Sequence, residues 1–260
     1  VRFSEILDSL RSHDSVWTAD VSEDWLQGRS VFGGVQAALA LRVMRASVPR
    51  DVPLRVLQIV FVAPVDAGRI TLRTEVLRAG KSVTHVEARI LDGGKTAAIA
   101  VGLFGRGRRS DVQVTPRPPT YPVQSSVPRT LATTLPAFAQ HFTVRWLRGA
   151  EPFSGADMPM SLIEADMKDV AHATEEHVVA IADFPPPLAF SFLKTLAPGS
   201  SLTWTLEMLG GALENVPLEG WRLHAELIAA RDGYTDQSIL VCSPDGEPVA
   251  ISRQSMVVFG

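Results

Sequence analysis

The strongest pattern along the chain is a segment that is apolar nearly all round. Gly33-Gly34 opens it, and from Val35 to Met44 only Gln36 and Arg42 break the apolar residues. A helix with no polar face is buried on most sides. The pattern therefore predicts a central helix that ends near Ser47-Val48-Pro49. Segments rich in β-branched residues follow and predict strands at 54–62, 69–78, 82–91 and 96–104. Asp92-Gly93-Gly94-Lys95 is a hairpin turn between the last two. The later part of the chain repeats this plan. Strands are predicted at 142–147 and around 161–169. A helix over 175–196 is interrupted by Pro185-Pro186-Pro187. Strands at 201–209, 221–230, 234–242 and 249–259 complete the set, and Pro244-Asp245-Gly246-Glu247 forms the last turn.

Between the two parts the composition changes. Pro116, Pro118, Pro119, Pro122, Pro128 and Pro136 follow Arg106, Arg108 and Arg109. Proline lacks an amide donor and fixes φ, so this stretch is neither a central strand nor a helix interior. The expected organisation is a first repeat over 1–105, a linker over 106–140 and a second repeat over 141–260. Ala98-Ile99-Ala100 falls on Ala250-Ile251-Ser252 at an offset of 152 residues (98 to 250), and Gly94 falls on Gly246. Identity is low. The shared order of elements, a buried helix and then four antiparallel strands, is the better sign of internal duplication. The architecture implied is α+β, an antiparallel sheet wrapped around a buried helix, twice over. Two unrelated α+β domains are the competing arrangement.

Composition narrows the class. The chain has 260 residues, 46% hydrophobic and 20% charged, with a formal net charge of −3. It is globular, with none of the basic excess of a nucleic-acid binder. A single cysteine, Cys242, excludes an internal disulfide and fits a cytoplasmic location. No apolar run reaches the ~18 residues a membrane-spanning helix needs, and the first residues do not resemble a signal peptide.

Familiar chemical motifs are absent: no Gly-Lys-Ser/Thr phosphate loop, no Gly-x-Ser-x-Gly elbow and no Cys-x-x-Cys. The six histidines show no metal-ligand spacing, so no metal is expected and surface or structural roles are the first expectation for each. Four features remain. Asp183 lies in an apolar stretch, where burial would raise its pKa toward that of a general base. The alternative is a cap for the segment the prolines open, and spacing alone favours the cap. Gln254 alternates with Ser252 and Met256 on one strand face. Its amide could orient a water, although on spacing alone it is an ordinary strand glutamine. Ser201, Thr203 and Thr205 alternate, which would put three hydroxyls on one side; β-propensity explains that equally well. Gly33-Gly34 would leave free amides at a helix N-terminus, able to polarise a carbonyl oxygen, or would serve close packing.

Taken together, these residues resemble the acyl-CoA thioesterase II family, with its double-hotdog fold. Val31-Phe32-Gly33-Gly34-Val35-Gln36-Ala37-Ala38 is similar to the family's helix start. Ala182-Asp183-Phe184 is similar to the segment with its catalytic aspartate, and Ser252-Arg253-Gln254 to the strand with its catalytic glutamine. The resemblance implies hydrolysis of an acyl-CoA thioester by a water that Asp183, Ser201 and Gln254 hold and activate. Thr203 is the other position for the hydroxyl, and Gly33 and Gly34 supply oxyanion donors. The segment between Asp183 and Ser201 is shorter than in the family, and the triple proline differs from its best-known members. The resemblance implies a role in fatty acid metabolism and no metal or other cofactor, with coenzyme A as part of the substrate. Arg106, Arg108 and Arg109 are candidates for its phosphates, or a solvated charge run. Exposed sheet edges suggest a homo-oligomer, a dimer or higher. A non-catalytic acyl-CoA or acyl-carrier binder on the same fold is the alternative. An enoyl-CoA hydratase on this fold fits less well, because no histidine follows Asp183 closely.

Overall fold

The computed structural model describes residues 1–120, 135–169, 172–211 and 213–259. Positions 121–134 of the expected linker, with Pro122 and Pro128, lie outside the described residues. Residues 106–120 form neither helix nor strand.

The first part of the chain runs α1 (Phe3–Asp8), β1 (Arg11–His13), β2 (Val16–Val21), the short pair β3 (Leu26–Gln27) and β4 (Ser30–Val31), then α2 (Gly33–Met44). Strands β5 (Leu54–Phe61), β6 (Gly68–Ala79), β7 (Thr84–Asp92) and β8 (Lys95–Phe104) follow. The later part has β9 (Phe142–Arg148), β10 (Met160–Met167), α3 (Glu175–Asp183), β11 (Gly199–Met208), β12 (Trp221–Arg231), β13 (Tyr234–Cys242) and β14 (Pro248–Val258).

Twelve of the described strands form one sheet in the order β1-β2-β6-β7-β8-β5-β11-β14-β13-β12-β10-β9. Reading inward from either edge gives the same sequence of connections, with β5 and β11 meeting at the centre. That seam is antiparallel and pairs Val56 with Glu207 through Val60 with Thr203. It replaces two sheet edges with a ladder of hydrogen bonds.

The apolar helix behaves as its sequence demands. Every residue of α2 from Gly34 to Met44 is buried except Arg42. The NH₂ end of its buried Gln36 donates to the Val31 carbonyl at 2.6 Å, while the Gln36 side-chain oxygen is buried without a hydrogen-bond partner. Helix α3 packs antiparallel to α2. Glu176 and Glu175 at its N-terminal end pair with Arg42 at 3.2 Å and with Arg45 near the C-terminal end of α2. Each charge also complements the end of its own helix dipole.

Two expectations need correction. The helix over 175–196 ends at Asp183, and a 3-10 turn occupies Leu188–Phe192. Pro185, Pro186 and Pro187 carry no amide hydrogen and cannot continue an α-helix. The hydroxyls of Ser201, Thr203 and Thr205 do not share a face. The β11–β14 register shifts between Ser201 and Thr203, so Ser201 stands opposite Met256 while Thr203 and Thr205 stand opposite Ser255 and Arg253. The extra residue of this bulge, Leu202, reverses the alternation.

Candidate active site

Asp183 is the last residue of α3, and the antiparallel packing brings it to the first turn of α2. This approach explains the glycine pair. A Cβ on Gly33 would lie 2.7 Å from Asp183 Oδ2, and one on Gly34 would lie 3.0 Å from the Ala180 Cα. Any larger residue would separate the carboxyl from the helix start.

The N-cap of α2, Phe32, offers no side-chain acceptor. Asp183 fills that role from the neighbouring helix, because its carboxylate accepts a hydrogen bond from the Gly34 amide. The aspartate is a cap, but of α2 and not of the proline segment; the cap of the turn that follows the prolines is Pro187. The positive end of α2 favours the ionised carboxylate.

The second partner comes from the sheet. Gln254 on β14 donates through Nε2 to Asp183 Oδ1. Behind it, Gln237 on β13 donates through Nε2 to Gln254 Oε1 at 3.2 Å, and its own Oε1 accepts from the Leu188 amide at 2.9 Å. Gln237 and Gln254 are direct cross-strand partners. Gln237, Gln254 and Asp183 are 2%, 4% and 9% exposed, so the cluster is almost wholly withdrawn from water. Burial raises the Asp183 pKa to about 7, against the opposing pull of the Gln254 and Gly34 hydrogen bonds.

The structure therefore joins Asp183, Gln254 and Gly34, with Gly33 in close approach. Ser201 stands directly opposite Met256 on β14, and so on the same sheet face as Gln254, whose own cross-strand partner is Trp204. No hydrogen bond among the described residues joins its hydroxyl to Asp183 or Gln254. Thr203 is exposed on the opposite face. The Gly34 amide is engaged by Asp183, which leaves Gly33 as the glycine whose amide could serve a substrate. Sequence reasoning passed over Gln237. Its signal was a lone amide on the inward side of an alternating strand, Thr235, Gln237, Ile239, Val241, next to two apolar residues.

Next to Asp183 in the chain, Phe184 and Pro185 to Pro187 line an apolar cavity of about 190 Å³. Phe138, Trp146, Phe153 and Phe190 add aromatic walls, and Gln27 and Glu151 are its polar lining. No group of three or more metal-ligating side chains occurs among the described residues. His177 is structural: it is buried and hydrogen-bonded to Asp169 at 3.0 Å.

Family models cover most of the chain. The acyl-CoA thioesterase N-terminal domain matches residues 21–105, and the acyl-CoA thioesterase C-terminal domain matches residues 113–258. The chain belongs to the acyl-CoA thioesterase family. Among solved structures, a hotdog protein of unknown function from Alicyclobacillus acidocaldarius superimposes with a TM-score of 0.89 at 21% identity. That match covers 99% of this chain and 98% of the other. An acyl-CoA thioesterase II from Mycobacterium marinum superimposes with a TM-score of 0.75 at 16% identity, over 99% and 98% of the two chains. At these identities the likeness shows the fold, a double hotdog. No curated protein sequence matches the chain. Among the described residues no helix is long and apolar enough to cross a membrane.

Proposed function

We propose that this thioesterase-family protein hydrolyses acyl-CoA thioesters by direct attack of an activated water. The observation that carries the reading is Asp183 itself: a buried carboxyl, held between the start of α2 and Gln254, with its pKa raised to about 7. A carboxylate of that basicity is matched to proton transfer near neutral pH.

In the proposed reaction Asp183 takes a proton from water as the oxygen attacks the thioester carbon. The second hydrogen of the Gln254 amide and the Ser201 hydroxyl hold that water, so orientation and base catalysis act together. The Gly33 amide, at the positive end of α2, receives the carbonyl oxygen as it becomes negative. Collapse of the tetrahedral intermediate breaks the C–S bond. The departing thiolate takes from Asp183 the proton that came from the water, which leaves free acid and coenzyme A. No metal or cofactor enters this scheme. The apolar cavity beside Phe184 offers a place for the acyl chain. Of the arginines suggested for the phosphates of coenzyme A, Arg106 is paired with Asp51 at 2.5 Å.

A free-thiol assay across acyl-CoAs of several chain lengths tests the reading, with wild type and Asp183→Asn side by side. Wild type should turn over at least one chain length. The variant should lose at least about two orders of magnitude, as removal of a general base does. Folded wild type that releases no thiol from any of them would overturn the hydrolase reading in favour of an acyl-CoA or acyl-carrier binding protein.

A further inference from the structure

The hydrogen bonds around Asp183 have a direction set outside the site. The Leu188 backbone amide can only donate, so Gln237 must present its oxygen there and its NH₂ group to Gln254. Gln254 must then turn its oxygen to Gln237 and its NH₂ group to Asp183. Reversing either amide would set donor against donor or acceptor against acceptor, in a place where water cannot repair the mismatch. The triple proline makes Leu188 the origin. Residues 185 to 187 have no amide hydrogen, and Leu188 is the first donor after Phe184.

We propose that Gln237 is a positioning residue: it locks the Gln254 amide with its NH₂ edge toward Asp183 in every protonation state of the carboxyl. The catalytic consequence rests on the hydrolase reading above; the orientation does not.

A donor fixed in this way favours the ionised carboxylate and opposes the effect of burial. If the amide could rotate, its oxygen would face Asp183 and accept a hydrogen bond from the protonated acid, which would raise the pKa further. Burial, Gln254 and the Gly34 amide account for the shift of Asp183. The ionisable residues on the packed elements enter none of it: Arg42 on α2, Glu175, Glu176 and His177 on α3, Tyr234, Asp236 and Cys242 on β13 and Arg253 on β14.

Gln237→Met keeps the length and removes both hydrogen bonds. Gln237→Leu removes both with a different shape and likewise adds no charge beside Asp183. The readout is the Asp183 side-chain carboxyl carbon, followed by NMR through a pH titration, beside the pH profile of kcat/KM. The wild-type midpoint is expected at about 7. It should rise by about one pH unit in both variants, and the acid limb of kcat/KM should move with it. That lowers kcat/KM at pH 7 about fivefold with KM little changed. An unmoved midpoint in the folded Met variant would overturn the proposal. So would an unmoved midpoint in the folded Leu variant, because Gln237 would then serve only to hold Leu188. A wild type with no thioester turnover would remove the hydrolase reading, while the carboxyl midpoints still decide the role of Gln237.

Discussion

The Asp183 carboxyl is pulled in two directions. Burial favours its neutral form, while Gln254, the Gly34 amide and the positive end of α2 favour the charged one. Burial wins, and the pKa rises from the ordinary 3.8 to about 7. The folded protein therefore holds a proton that the unfolded chain has released between those values. The associated stability is complete below about pH 4 and is lost as pH rises through about 7. The loss is on the order of 4 kcal/mol. Asp183→Asn carries no charge to bury, so its urea-unfolding free energy should lack this decline between pH 4 and 8. Parallel curves for wild type and variant would rule out the raised pKa. Residue by residue, spacing did not disclose this chemistry. It favoured a cap for Asp183 and an ordinary strand glutamine for Gln254, and only the family resemblance paired them. The contact that unites them spans 71 positions of sequence, a distance that local pattern does not reach.

At the level of elements, the α2–α3 contact sets the site geometry. The two glycines at its tightest point should fail differently when replaced. In Gly34→Ala the new methyl would lie 2.5 Å from the Phe32 ring and 3.0 Å from the Ala180 backbone. Phe32 is fully buried and stacked on Phe138 at 4.0 Å, so it has little room to yield. The expected cost is about 1–3 kcal/mol of stability, measured by urea unfolding. In Gly33→Ala the methyl meets the Asp183 carboxylate and the Phe61 ring instead. Displacing the carboxyl should lower kcat/KM roughly tenfold, with the smaller loss of stability. Equal stability losses would contradict this division. The long elements were legible from their pattern: α2 is apolar but for Gln36 and Arg42, and β13 follows the expected bounds of 234–242. Short or irregular pieces carried too little pattern. Helix α1 has six residues and β1 has three, and neither was foreseen. The bulge at Leu202 is a single inserted residue with no compositional mark, yet it separates Ser201 from Thr203.

Over the whole molecule, the mirrored strand order divides the candidate site between repeats. The glycine start of α2 comes from one, and Asp183, Gln237 and Gln254 come from the other. Such a site works only if the repeats hold a fixed relation, and two structures impose one: the helix pair and the β5–β11 seam. The seam has apolar residues at its centre. Leu57 and Leu206 are direct partners and almost fully buried, so they join one continuous core. Repeats that share a core should unfold together, because exposing either strips apolar surface from the other. Thermal unfolding followed by circular dichroism and by tryptophan fluorescence should therefore give one coincident transition. Leu57→Ala removes side-chain volume where the core crosses the seam, and its cost should be about 2–5 kcal/mol. The transition should shift to lower temperature without dividing. Two resolved transitions in this variant would mean that each repeat is stable by itself and that the seam aligns the site without supporting the fold. A single shifted transition would mean that the geometry around Asp183 and the stability of the molecule depend on the same contacts.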